Sequence, residues 1–227
     1  MIFMYCGRIV VRIEISTLSD TDGKFNHRKM DRLAMILSNL NNSGKQVIVV
    51  SSGAIALGAD KMGIKIQPKA YEEMQAIAAI GQAELIKFYQ HYFDQYNQIV
   101  AQVLLTDDIM DDPVRVMNAK NTFTTLLEMN IIPVVNENDA VSLTDIKLDD
   151  NYALALQVAR ITKADIILIK MDTNSKFIIQ PRTKLSAVLV VDETQLFEEI
   201  EKTCSRMAQV DNTELHFPET IVDIVLN

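Results

Sequence analysis

Five runs of mostly β-branched and aliphatic residues recur along this chain: RIVVRIEI at 8–15, QVIVVSS at 46–52, IVAQVLL at 99–105, IIPVV at 131–135 and ADIILIK at 164–170. Several are apolar at nearly every position instead of every second one, so neither face of the strand can be left in water. Between them the apolar period becomes that of a helix. Met30, Leu33, Ala34, Leu37 and Leu40 share a helical face that stops at Asn42-Ser43-Gly44. Further helical segments are predicted from GAIALGADKMG into AYEEMQAIAAIGQAELIKFYQHYFDQY, over 114–129 and over 151–162. Buried strands alternating with helices specify a parallel sheet wrapped by helices. No repeat, low-complexity tract or linker interrupts the pattern, so residues 1–227 are read as a single α/β domain.

No apolar run approaches the ~20 residues that a membrane helix needs, and no membrane partner is expected. A formal charge of −8 argues against nucleic acid as a partner, because that role calls for a basic face. An anionic ligand would have to be held by local groups such as backbone N–H donors, a lysine or a metal ion. Cys6 and Cys204 are too few for a disulfide framework, and MIFMYCGR lacks the marks of a secretory signal, so a cytoplasmic location is expected. His27, His91 and His216 lack metal-ligand spacing and are read as structural or surface residues, and no protein metal site is expected.

In parallel α/β sheets, ligands bind beyond the carboxyl ends of the strands. Small polar residues stand at each of those ends. Glu14-Ile15-Ser16-Thr17 follows the first run, Ser51-Ser52-Gly53 the second and Thr106-Asp107-Asp108 the third. Asn136-Glu137-Asn138-Asp139 follows the fourth, and Met171-Asp172-Thr173-Asn174 the fifth. At any single exit, helix caps and turns account for such residues. Five exits together outline a polar site assembled from several strand ends.

The stretches VVSSGAIALG, QAIAAIGQAELIKFY, AQVLLT, NAKNT, IIPVVNENDAVS and KADIIL, in this order, resemble the glutamate 5-kinase family of the amino acid kinase superfamily. The combination of SSGA, AxxGQ and NENDAV is far more specific than a lone glycine motif. The resemblance implies a three-layer αβα sandwich with a mostly parallel sheet. It also implies phosphoryl transfer from ATP, with Mg2+, to L-glutamate, giving γ-glutamyl phosphate for proline biosynthesis. A homo-oligomer is expected as well. Carried over position by position, the resemblance assigns Ser52, Asp139 and Asn151 to glutamate, and Asp150 to the catalytic apparatus. The residue types suit that ligand. Asp139 can pair with the α-ammonium, while Ser52, Asn136 and Asn151 can hydrogen-bond the carboxylates. Gly53 lets backbone N–H groups at a helix start approach the γ-carboxylate or a phosphate.

The nucleotide half departs from the family. Where the family's first strand ends in lysine, an apolar residue, glycine and a Ser/Thr pair, this chain has Arg12-Ile13-Glu14-Ile15-Ser16. Arg12 takes the lysine's place as a catalytic and nucleotide-binding residue, keeping the charge but not the compact ammonium. Glu14 puts a carboxylate where glycine would admit phosphates. On the adenosine side, the family's Thr-Asp followed by glycine and an aromatic becomes Met171-Asp172-Thr173-Asn174-Ser175-Lys176-Phe177, leaving Met171 and Asp172 as the nucleotide-binding candidates. Lys170 is read as an edge or surface residue rather than a replacement cation. The family's Gly-Thr-Gly-Gly-Met loop has no counterpart. No glycine follows Gly81, where average usage would give about ten. Residues 182–227 are read as a shortened family C-terminus, without the RNA-binding-like domain that some members carry.

Three functional readings stay open. The first is a glutamate kinase with impaired turnover. The second is a non-catalytic paralogue that binds glutamate or partners an active kinase. The third is another carboxylate or amine kinase of the superfamily.

Overall fold

The computed structural model describes residues 7–14, 26–64, 70–142, 151–170, 176–181, 189–192, 198–200 and 202–203, with the side chains of 170, 176–181 and 189–192 outside that description. The five predicted strands are present as β1 (Arg8–Ile13), β2 (Gln46–Ser51), β3 (Val100–Leu105), β4 (Ile132–Glu137) and β5 (Ile166–Lys170). Between them lie α1 (His27–Asn42), α2 (Ala54–Met62), α3 (Tyr71–Phe93), α4 (Pro113–Glu128) and α5 (Tyr152–Thr162). The strands pair in parallel in the order β3-β4-β2-β1-β5. Two further strands, β6 (Lys176–Pro181) and β7 (Leu189–Asp192), extend the sheet antiparallel beyond β5. Sequence reasoning missed both. KFIIQP ends in proline and LVVD has four residues, so neither carries a distinctive period.

Ile9, Val10, Val11 and Ile13 of β1 are wholly buried, as their unbroken apolar run requires. Ile9, Val11 and Ile13 pack with Leu33 and Leu37 of α1 and Tyr89 and Phe93 of α3. Val10 faces the other way, into a core with Phe123 of α4 and Leu154 and Val158 of α5. Helices therefore cover both faces, and the molecule is a three-layer αβα sandwich with a mostly parallel sheet. Two helix starts follow ordinary capping rules. The Asn26 side chain accepts from Lys29 N before α1, and that of Asp112 accepts from Val114 N and Arg115 N before α4.

The predicted helical stretch after β2 is two helices, because Gly63 turns left-handed (φ 66°) and ends α2. The two helices meet backbone to backbone. A Cβ on Gly81 of α3 would lie 1.6 Å from the Ala54 carbonyl oxygen, and one on Gly58 of α2 would lie 2.1 Å from that of Ile77. Glycine at both positions lets α3 seat the first turn of α2, directly beyond the end of β2.

Chain direction then locates a crevice. The helices that follow β1 and β2 pack on one face, and those that follow β3 and β4 on the other. Neighbours β2 and β4 thus send their chains to opposite sides, which opens a gap between their carboxyl ends.

Candidate functional site

On one side of the gap, β2 ends at Ser51 and the chain enters α2 through Gly53, whose φ of 104° would strain any residue with a Cβ. Gly53 is the N-cap, and no side chain caps the helix. The first-turn N–H groups and the helix dipole therefore offer partial positive charge at this point. Ser52 is not the cap that its position suggests. Its Oγ is buried and has no hydrogen-bond partner among the described residues.

Asn151 shows the same pattern. It stands at the N-cap of α5 without capping it. Its Nδ2 instead donates to the Ser51 carbonyl and, at 3.0 Å, to Asn136 Oδ1. Both N–H bonds are taken up in tying the end of β2 to the end of β4. That nitrogen belongs to the frame of the crevice and is not open to a substrate carboxylate while the tie holds. Asn136, also buried, lies within β4 opposite Leu104 of β3.

Asp139 forms the opposite side. β4 runs through Glu137, and the chain then turns with Asn138 N donating to Leu105 O at 2.7 Å and Val141 N to Asn138 O at 3.0 Å. Asp139 is half-buried in this turn. Burial, and secondarily the nearby Glu137 carboxylate, pushes its carboxyl up to about 6, while a hydrogen bond with Gln82 works in the opposite direction. No cation among the described residues offsets this. Glu137 itself is turned aside, its Oε1 accepting from Ser142 Oγ at 2.9 Å. The Ser142 carbonyl in turn accepts from Tyr71 OH at 2.6 Å.

Two residues of α3 complete the frame, and sequence reasoning assigned neither. Gln82 Nε2 donates to the Glu137 carbonyl at 2.9 Å. Tyr89, wholly buried, donates to Ser51 Oγ at 2.8 Å, and Ser51 Oγ to the Ser52 carbonyl at 3.2 Å. Burial raises the Tyr89 phenol well above its ordinary value, so it remains a donor throughout the working pH range. AxxGQ already contained Gln82 as part of a family motif, but no role was assigned to the residue. Tyr89→Phe is expected to cost about 1 kcal/mol of stability, the usual worth of one buried hydrogen bond, because Ser51 Oγ keeps a second partner. Urea unfolding with an unchanged slope checks this, and a loss beyond 3 kcal/mol would mean the hydroxyl supports more than Ser51.

At the exit of β1, Arg12 Nη2 and Glu14 Oε1 form an ion pair, with side chains 13% and 23% exposed. The Glu14 carboxylate therefore does not stand as a lone anion. The acidic residues after β3 are engaged with α4 and α5. Asp108 is held by Arg115 at 3.1 and 2.9 Å and lies below the usual carboxylate range, and the Asp107 carbonyl accepts from Gln157. Asp150, Met171 and Asp172, and the side chain of Lys170, lie outside the described residues. Among the described residues, no group of three His, Cys, Asp or Glu is placed to hold a metal ion, and no helix is long and apolar enough to cross a membrane.

Comparison with known proteins adds a family. Residues 7–184 match the model of the amino acid kinase family. A glutamate 5-kinase of Listeria innocua is 41% identical over 198 residues, covering 86% of this chain and 72% of that protein. One from Enterococcus faecalis is 40% identical over 197 residues, covering 85% and 73%. Among solved structures, a UMP kinase from Bacillus anthracis gives a TM-score of 0.46 at 17% identity, covering 74% of this chain and 65% of that one.

Proposed function

The chain belongs to the amino acid kinase family, and from that premise we propose that it is a glutamate kinase whose amino-acid site is the crevice between β2 and β4. The observation that carries this reading is a pair of unfinished groups at the crevice. Among the described residues, Ser52 Oγ is buried without a partner beside an uncapped helix start, and Asp139 is a desolvated carboxylate without a cation. A donor-rich side and an anionic side suit an amino acid that carries a second carboxylate.

In this reading Asp139 takes the α-ammonium, and Ser52 Oγ with the first N–H groups of α2 takes the γ-carboxylate. Asn136 and Asn151 hold the two sides apart at fixed spacing. ATP is the co-substrate. Arg12 and the start of α2 are groups that fit its transferring phosphate, and Asp150, Met171 and Asp172 are assigned by position to the rest of its site. Magnesium, when bound with ATP, neutralises phosphate charge. A γ-carboxylate oxygen attacks the γ-phosphorus, the bond to the bridging oxygen breaks, and ADP leaves with that electron pair. No covalent enzyme intermediate is needed, so the protein acts by positioning and charge.

Turnover is expected to be impaired, because Arg12 is engaged with Glu14. The same ion pair favours a second reading, a paralogue that binds glutamate without transferring phosphate. Hydroxamate trapping of γ-glutamyl phosphate with ATP and magnesium, run beside calorimetric titration of L-glutamate, separates the two. Binding with product supports the kinase, and binding without product the paralogue. Absence of binding overturns both. Asp139→Ala should weaken glutamate about 10- to 100-fold, the worth of a charge-assisted hydrogen bond. In the unaltered protein, affinity should fall as pH drops through about 6, since the protonated carboxyl cannot pair with an ammonium.

A further inference from the structure

We propose that Gln82 is a positioning residue of this crevice, holding the turn after β4, and with it Asp139, in the arrangement that receives the substrate's ammonium group. The inference rests on the glutamate reading above and adds to it a residue whose role is control of the anion, not contact with substrate.

Three features of Gln82 lead there. Its place on the helix is fixed, because Gly81 before it is pressed against the Ala54 carbonyl and cannot slide. Its amide nitrogen anchors the start of the turn, donating to the Glu137 carbonyl at 2.9 Å, and the same side chain favours the anion of Asp139 two residues on. Its amide oxygen, in contrast, is buried without a partner among the described residues, in a side chain only 8% exposed.

Packing alone does not explain a glutamine here. A buried amide with its acceptor unmet is costly, and an apolar side chain of the same length would fill the space without that cost. The gain must lie in what the nitrogen does. Among the described residues the charged group acting on Asp139 is Glu137, of the same sign, and burial also favours the neutral acid. Gln82 opposes both. It is a neutral donor that keeps Asp139 anionic without occupying the place of the ligand's cation, as a lysine would.

The test uses Gln82→Met, similar in length without the amide, and Gln82→Glu, similar in shape with an added charge. L-glutamate is titrated calorimetrically into each from about pH 5 to pH 8, and melting temperature is followed in parallel. Gln82→Met should melt no lower than the unaltered protein yet bind glutamate about tenfold more weakly near neutral pH. The acid-side loss of affinity should move to higher pH, since Asp139 has lost the bond that favours its anion. Gln82→Glu should move that limb further in the same direction. A Gln82→Met protein with unaltered affinity and an unmoved acid limb overturns the proposal, as does one that melts lower and binds weakly at every pH. If Gln82→Met does not fold, the limb of Gln82→Glu decides alone. An unaltered protein that binds no L-glutamate at any pH overturns the glutamate reading itself, a distinct outcome.

Discussion

Gly81→Ala is expected to cost about 3 kcal/mol or more of folding stability and to lower the melting temperature by about 6–12 °C. The added methyl would stand 1.6 Å from the Ala54 carbonyl oxygen, 2.5 Å from its carbon and 2.8 Å from Gly58 N. These are backbone atoms, so no side chain can rotate away, and one helix must move. The move has nowhere to go without damage, because Leu85 and Tyr89 on the same helix are locked into the sheet core. Displacing α2 instead would shift Ser52 and Gly53, so the variant should lose glutamate binding even where it stays folded. Gly63→Ala is the control. Gly63 is left-handed (φ 66°), but a Cβ there meets nothing within 4 Å, so alanine should cost only about 1 kcal/mol from backbone strain. Urea unfolding of the two variants separates the causes. Equal losses would show that the α2–α3 contact tolerates a methyl.

The architecture was legible in the sequence because burial on both faces writes itself as an unbroken apolar run. β1, β2, β4 and β5 were found for that reason, and the helices from their period. The site was legible only as a set of positions. Ser52 and Asn151 look in sequence like Asn26 and Asp112, a small polar residue ahead of a helix. Two of these four cap their helices and two do not, and the difference lies in where the side chain points. Asn151 reaches sideways to another strand exit, 15 residues away in sequence at Asn136. Tyr89 and Gln82 were hidden differently. They lie on the buried face of α3, where helical periodicity predicts core, and each adds a polar group that only the neighbouring strand end gives meaning.

Glu14→Gly is expected to strengthen ATP binding by at least tenfold, with a ceiling near three decades. The ceiling comes from the repulsion of two like charges ~4 Å apart at an effective dielectric near 20, about 4 kcal/mol. The floor is lower because Glu14 is not a bare anion. Its Oε1 is paired with Arg12 Nη2, so part of its charge is already cancelled. That pairing gives the substitution two effects of the same sign. It removes a carboxylate from the phosphate approach, and it takes away one anionic partner of the cation proposed to meet the phosphate. Arg12→Lys alone should do little, since an ammonium at that position would still be neutralised by Glu14. The two residues share one interaction, so the double variant should gain more than the sum of the singles. ATP titration and hydroxamate yield for all four proteins, each checked for folding by circular dichroism, measure the cycle. If folded Glu14→Gly and the double variant bind ATP no better and transfer no faster, the ion pair is not the obstacle. The glutamate-binding paralogue then becomes the better account of the chain.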